Sequence, residues 1–219
     1  MFNKNIISLL LYSLHFILLK IKVYGNNKLY IYKDVILWKS NIKVKGKKNS
    51  IDLRKSATLK RTKITIHGNN NLVIIGENVK VYENCEFLIE GDNCVINIGN
   101  KTTIGSANIF CGEGNSSISI DEDCILSRDV SINTSDFHSI IDIKLNKRIN
   151  RPKNILIGNH VWIGFNTTIT KGTILNKNSI VASRAVVGGK KFPSNVILGG
   201  IPSKVIKENI TWDREKLPY

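Results

Sequence analysis

The sequence predicts an all-β solenoid, a parallel β-helix, and three observations carry that prediction. Across residues 157–187 a branched aliphatic residue stands at every sixth position: Ile157, Ile163, Ile169, Leu175, Val181 and Val187. Four places after each of the first five comes a smaller residue: Val161, Thr167, Thr173, Ser179 and Ala185. A longer period of 22 or 23 residues separates Ile31, Leu53, Ile75, Ile98 and Ile120. Neither the 3.6 period of a helix nor the 2.0 period of an amphipathic strand yields a repeat of six. One short strand and one corner per hexapeptide does. Three hexapeptides then close a triangular coil, and each inward aliphatic stacks on its copies about 4.8 Å above and below.

The elements follow in chain order. Residues 6–19 are apolar except for Ser8, Ser13 and His15, and Lys4, Lys20 and Lys22 flank them. The stretch is short for a membrane span and is followed by no small-residue cleavage site. It predicts an amphipathic helix over residues 1–24 that packs on the solenoid end, seals a subunit contact or lies on a membrane surface. Residues 25–202 form the solenoid, of roughly seven coils. The early coils carry one enlarged corner each, at Gly46-Lys-Lys-Asn49, Gly68-Asn-Asn-Asn71, Gly91-Asp-Asn93 and Gly112-Glu-Gly-Asn115. Gly and Asn suit the positive φ angles such corners need. Coils shorten to 18 residues from Ile157. An extruded loop over 133–156 separates the two regimes, and residues 203–219 form a C-terminal tail.

Composition bounds the function. The 219 residues suit one domain, and a hydrophobic fraction of 42% is ordinary for a globular chain. A net charge of +15 points to an anionic partner or to a lysine-rich composition with no partner behind it. Neither a nucleic-acid recognition fold nor aromatics interleaved with the basic residues is present, so no nucleic acid is expected. Cys85, Cys94, Cys111 and Cys124 form no C-x-x-C pair and have no histidine cluster beside them, so no metal is expected. Cys85 and Cys124 occupy the second inward position of their hexapeptides and read as small core residues in a reducing compartment.

A loop of this length expelled from a regular repeat marks function. It holds Asp136 and His138, then Lys144, Lys147, Arg148, Arg151 and Lys153 with only Asp142 opposing them. Histidine suits proton transfer at neutral pH, so His138 reads as a general base or as a hydrogen-bonded structural histidine. Asp136 or a backbone carbonyl would orient its ring. His160 is the rival base; fourth in its hexapeptide, it faces out near a corner and reads rather as a surface or subunit contact. His67 and His15 read as structural. Trp162 ends its hexapeptide and projects from the wall, as a ligand platform rather than a core residue.

Three segments form an ordered set: Asp136-Phe-His138-Ser, Ile157-Gly-Asn-His-Val-Trp162-Ile-Gly164, and Leu198-Gly-Gly200-Ile-Pro202-Ser-Lys204. With the tail Lys207-Glu-Asn-Ile-Thr-Trp212, the set resembles the hexapeptide-repeat O-acetyltransferases that modify cell-surface sugars, in particular capsular polysaccharide O-acetyltransferases of the polysialic acid type. The resemblance spans residues 120–214. The earlier coils share its pattern only, and residues 1–24 hardly match.

The resemblance implies a left-handed β-helix, against the right-handed rule for parallel crossovers. It implies acetyl-CoA as co-substrate, with His138 as the base and Trp162 beside the thioester arm. Gly164, Ala182, Ser183, Gly199 and Gly200 fall where related enzymes hold pantetheine, and Lys204 where they meet the phosphoadenosine end. Ala182 stands where the family often has Gly, and Gly188-Gly189 where relatives carry bulkier residues, so the acceptor channel is open in width. The acceptor implied is an acidic, sialic-acid-containing glycan, with Lys144, Lys147, Arg148, Arg151 and Lys153 as its attractants. A homotrimer and a cytoplasmic location, with contact to the inner face of a bacterial membrane through the N-terminal helix, complete the expectation. N-acetylation of an amino sugar nucleotide is the alternative, since fold and base would be shared. A metal-dependent hydrase of the γ-carbonic anhydrase kind would need an H-x4-H pair, which the sequence lacks. A bare scaffold would need neither the loop histidine nor the Gly-Gly-Ile-Pro-Ser-Lys ending.

Overall fold

The structure, a computed structural model, describes residues 19–218. Short strands stack in parallel into three sheets, which form the three faces of the solenoid. The first face runs from the Lys20–Val23 strand through Cys85–Glu90 and Val130–Asn133 to Val186–Val187, and the second from Lys28–Ile31 to Lys191–Phe192. The third runs from Ile36–Trp38 through Ile125–Leu126 and Trp162–Ile163 to Ile197–Gly200. Each face has eight coils in register.

Two expectations change here. The solenoid has eight turns rather than roughly seven, and its first strand lies in residues assigned to the N-terminal helix. Lys20–Val23 is a strand paired in parallel with Asn41–Lys45, its alternating Ile21 and Val23 following the strand period rather than the helical one. The remainder of that expected helix, residues 1–18, lies outside the described residues. Among the described residues no helix is long and apolar enough to cross a membrane.

The hexapeptide logic accounts for the core. Ile157, Ile163, Ile169, Leu175, Val181 and Val187 are all buried, as are Val161, Thr167, Thr173, Ser179 and Ala185 behind them. Each buried aliphatic removes enough surface to stabilise the fold by about 1.5–3 kcal/mol. Threonine and serine are tolerated inside because their hydroxyls bond to corner carbonyls, as Thr167 Oγ1 does to Gly164 O at 2.9 Å. Cys85 and Cys124 point inward as expected, and burial pushes the Cys124 thiol up to about 12.

The enlarged corners all join the first face to the second. There Gly68 adopts φ 135°, and a Cβ on it would meet Gly91 O at 2.0 Å, so no other residue fits. A ladder of buried asparagine amides runs up the inside of this corner. Asn49 Nδ2 donates to Gly68 O at 2.8 Å, and Asn49 Oδ1 accepts from Asn71 N at 3.0 Å. Asn71 Oδ1 then accepts from Cys94 N at 2.8 Å.

The extruded loop leaves from this same corner, between Val130–Asn133 and Ile155–Ile157. It therefore spans 134–154 rather than 133–156, and it elaborates an existing corner rather than breaking the solenoid. Inside it, Ile141–Asp142 pairs antiparallel with Lys147–Arg148. The tail also starts with order: Ser203–Lys207 runs back antiparallel along Ile197–Gly200.

Candidate active site

The loop base is built from hydrogen bonds. Thr134 is fully buried, its Oγ1 accepts from Gly112 N at 3.0 Å, and its carbonyl accepts from Lys153 N at 3.1 Å. Two residues on, His138 N donates to Asp136 O at 2.8 Å across Phe137, whose φ is 66°. That is a γ-turn with its central residue in the left-handed region, a conformation costing about 1–3 kcal/mol for a bulky side chain. Phe137 is kept there because its N–H donates to Ser135 Oγ at 2.9 Å and its ring stacks on Phe110, centroids 4.4 Å apart.

Asn150 closes the turn from the far side of the loop. Its Nδ2 donates to Asp136 Oδ2 at 2.8 Å and to His138 O at 2.7 Å, while its Oδ1 accepts from Ile140 N at 2.8 Å. The backbone of His138 is thus tied on both sides. Its side chain is exposed, and no described residue bonds to its ring. Asp136 does not bond to that ring. Its carboxylate pairs with Lys171 and Asn150, and the Lys171 hydrogen bond, joined by that from Asn150, holds it below the usual carboxylate range against the opposing effect of burial.

The loop cations divide. Arg148 forks onto Glu113, Nη1 to Oε2 at 2.6 Å and Nη2 to Oε1 at 2.8 Å, and its Nε donates to Asn150 Oδ1 at 3.0 Å. Its partner Glu113 lies one coil back, outside the loop in which Asp142 is the opposing acid beside the cations. Arg148 is therefore an anchor of the loop rather than a free attractant. Lys144, Lys147, Arg151 and Lys153 are exposed and form no ion pair among the described residues.

His160 has the opposite surroundings to His138. Its Nδ1 lies 2.7 Å from Asp123 Oδ2 and its Nε2 2.9 Å from Trp212 O. Both ring nitrogens are therefore occupied within the chain. It stacks on the Trp212 ring, centroids 3.9 Å apart and planes 1° from parallel, and Trp212 Nε1 returns a bond to His160 O at 2.8 Å. Arg214 completes the clasp through Asp123 Oδ1 at 2.8 Å. His160 is a fastening for the tail, where a surface or subunit contact was expected.

Trp162 stands on the third face, half-exposed, its Nε1 donating to Ser127 Oγ at 3.3 Å and its ring 6.3 Å from that of Trp212. The position after the inward aliphatic of this face is small in five successive coils: Gly105, Ser127, Gly164, Ala182 and Gly199. A Cβ on Gly164 would approach Ser183 N to 2.6 Å, and one on Gly199 would lie 3.5 Å from Ala182 Cβ. Three of the expected cofactor residues, Gly164, Ala182 and Gly199, thus share one column, a candidate groove about 19 Å long at the coil spacing, with Ile206 Cδ1 of the tail only 3.2 Å from a Cβ on Gly199. Gly105 and Ser127 extend it beyond the expected set. Gly164 N and Ala182 N donate to the next coil, at 2.8 Å each, whereas Ser183 N has no acceptor among the described residues. Lys204 is exposed on the tail strand opposite Gly199, at the groove's far end. His138 and Trp162 do not meet within one chain: the loop leaves between the first and second faces, and Trp162 lies on the third.

Among the described residues no cluster of three or more His, Cys, Asp or Glu side chains could hold a metal ion. Comparison with known proteins decides the family. No family model matches the chain. A polysialic acid O-acetyltransferase from Neisseria meningitidis is 33% identical over 191 residues, covering 78% of this chain and 88% of that protein. This chain belongs to the polysialic acid O-acetyltransferase family. It is an acyltransferase with a hexapeptide-repeat fold. A second such enzyme, from Escherichia coli O1:K1 / APEC, is 36% identical over 141 residues, 62% of this chain and 45% of that longer protein. The crystal structure of the polysialic acid O-acetyltransferase OatWY matches with a TM-score of 0.85 at 31% identity, over 91% of this chain and 92% of that one. That of the polySia-specific acetyltransferase NeuO matches with a TM-score of 0.73 at 26% identity, over 90% and 89%.

Proposed function

We propose that this chain transfers an acetyl group from acetyl-CoA to a hydroxyl of a sialic-acid-containing capsular polysaccharide, with His138 as general base. The observation that carries this reading is the contrast between the two histidines. His138 has a clamped backbone and an exposed ring without a described partner, while both ring nitrogens of His160 are occupied. The family's acceptor, a polysialic acid, supports O-transfer over transfer to an amine.

In this reading the thioester arm lies along the groove of Gly105, Ser127, Gly164, Ala182 and Gly199, beside Trp162. Ser183 N is placed to bond the pantetheine chain, and Lys204 faces the phosphates. His138 takes the proton of the acceptor hydroxyl as its oxygen attacks the thioester carbonyl. The tetrahedral intermediate collapses, the C–S bond breaks, and the coenzyme thiolate takes the proton back from the imidazolium. Lys144, Lys147, Arg151 and Lys153 draw in the polyanion. Asp136 acts on His138 through the backbone turn it shares with Asn150.

The solenoid is read as left-handed, as in related enzymes, and the protein as a homotrimer with the site between subunits. The separation of His138 from Trp162 supports that assembly. So does the apolar surface of the loop, where Ile140, Ile143, Leu145 and Ile149 are exposed, Ile143 by 93%. A cytoplasmic location suits four free thiols.

The test is acetylation followed by mass spectrometry, with acetyl-CoA and either a sialic acid polymer, a neutral glycan or an amino sugar nucleotide. Addition of acetyl to the sialic acid polymer alone, as a hydroxylamine-labile ester, is the expected result. Acetylation of the amine, or of none of the three, refutes the assignment.

A further inference from the structure

The net charge is not spread evenly along the solenoid. Thirteen Lys and Arg against two acids in residues 19–61 give the first two coils +11. Four cations against ten acids in residues 62–130 give the next three coils −6. Fourteen against five in residues 131–218 give the loop, the last coils and the tail +9. A lysine-rich composition alone would not reverse sign between neighbouring coils. The last band belongs to the site described above. The first lies about five coils, or about 24 Å, from it.

Within the first coil the cations surround the axis. Lys20 and Lys22 point out from the first face and Lys28 from the second; Lys33 and Lys39 occupy the other two corners. All five are exposed, and none forms an ion pair among the described residues. Tyr24, Tyr30 and Tyr32, all in this coil, are 54%, 49% and 54% exposed. The three strands of the coil are the edge strands of their sheets, and the inward Ile21, Val23, Leu29 and Ile31 are only part-buried. The sequence entering the coil, residues 6–19, is apolar.

We propose that this end of the solenoid docks end-on against an anionic lipid bilayer. A ring of cations around an axis fits a plane met end-on, because every lysine of the coil then lies at the same depth. A chain-like polyanion would favour a stripe along one face, which the ring does not offer. Both basic coils lie within about 10 Å of the end, comparable with the roughly 8 Å screening length at physiological salt, so both feel the surface potential. Tyrosines at the rim suit the headgroup layer, where an amphipathic ring has one wet and one apolar side. Docked this way, the loop lies about five coils from the bilayer surface, on the side of the solenoid.

The test is sedimentation of the full-length protein with vesicles of phosphatidylcholine alone or mixed with phosphatidylglycerol. Binding to the mixed vesicles only, weakened by salt, is expected. Lys20→Gln/Lys22→Gln/Lys28→Gln/Lys33→Gln should lower the partition coefficient about 10²–10³-fold, at roughly fivefold per lysine. Acetyl transfer to a soluble acceptor should be unchanged in that variant, which also reports that it is folded. The double variant Tyr30→Ser/Tyr32→Ser should weaken binding at high as well as low salt. A matched quartet at the opposite end, Lys177→Gln/Arg184→Gln/Lys190→Gln/Lys191→Gln, should bind vesicles as the parent does. Absence of binding to anionic vesicles overturns the proposal, and so does equal loss in the two quartets, which would mean net charge alone. Unchanged vesicle binding with a raised acceptor KM in the first quartet overturns it in favour of a second glycan contact.

Discussion

Two histidines of one chain, His138 on the loop and His160 at a solenoid corner, are held in opposite ways, and the difference predicts opposite phenotypes. His138→Ala should lower turnover about 10²–10⁴-fold with little change in melting temperature, because its ring makes no bond within the described structure. His160→Ala should retain the chemistry but release the tail, since it removes the Asp123 bond, the Trp212 bond and the ring stack together. Loss of such a buried-edge network costs about 1–3 kcal/mol, read as a lower melting temperature and faster proteolysis after Trp212. Inactivity of His160→Ala with an active His138→Ala would reverse the assignment. Asn150→Asp should lower turnover at least about tenfold, because it keeps the acceptor for Ile140 N but loses the donor to His138 O and sets a second carboxylate against Asp136. His138 was legible from its motif. Asn150 was not, because nothing local marks an asparagine 12 residues away as the partner of a turn, and the same holds for the Lys171–Asp136 pair 35 residues apart.

The loop is the element on which the site depends, and its two anchors are carboxylates. The Arg148 hydrogen bond above all, with that from Ser135, holds Glu113 below the ordinary range, as Lys171 does Asp136. Folded values depressed in this way mean that the unfolded chain binds the protons more readily. The anchorage is therefore complete above the ordinary carboxylate range and is lost as pH falls through the depressed values, below about pH 4. Hydrogen exchange in residues 138–150, corrected for intrinsic rates, should rise there before exchange in the coils does. Simultaneous loss would contradict the role of the two pairs. Replacing Lys144, Lys147 and Arg151 by Gln should raise the acceptor KM and flatten its salt dependence with kcat nearly constant. Arg148→Gln should instead lower kcat, since it frees the loop from Glu113. At this scale the sequence announced the loop by breaking its own repeat. It could not announce that Arg148 belongs to the anchor, because Glu113 lies 35 residues earlier and meets it only when the coils stack.

At the scale of the whole molecule, the fold was legible because a solenoid writes its core at a constant interval, and every one of the six aliphatics from Ile157 to Val187 is buried. Only the first strand of the first coil was missed, because Lys20–Val23 continues an apolar run whose local pattern also suits a helix; pairing with Asn41–Lys45 decides otherwise. The candidate residues and the expectation of a homotrimer both come from the sequence, while their placement on separate sides of the solenoid comes from the stacked coils. The histidine and the tryptophan leave different sides of one chain, and the proposed trimer would bring them together between subunits. Subunit mixing tests that claim most directly. His138→Ala and Trp162→Ala chains, each inactive as a pure trimer, are unfolded together in equal amounts, refolded, and assayed for acetyl transfer to a sialic acid polymer. A site shared between neighbours predicts recovery of about one quarter of parental activity, since every mixed ring contains one intact pairing. No recovery from fully mixed trimers, or full activity in a monomer, would contradict it.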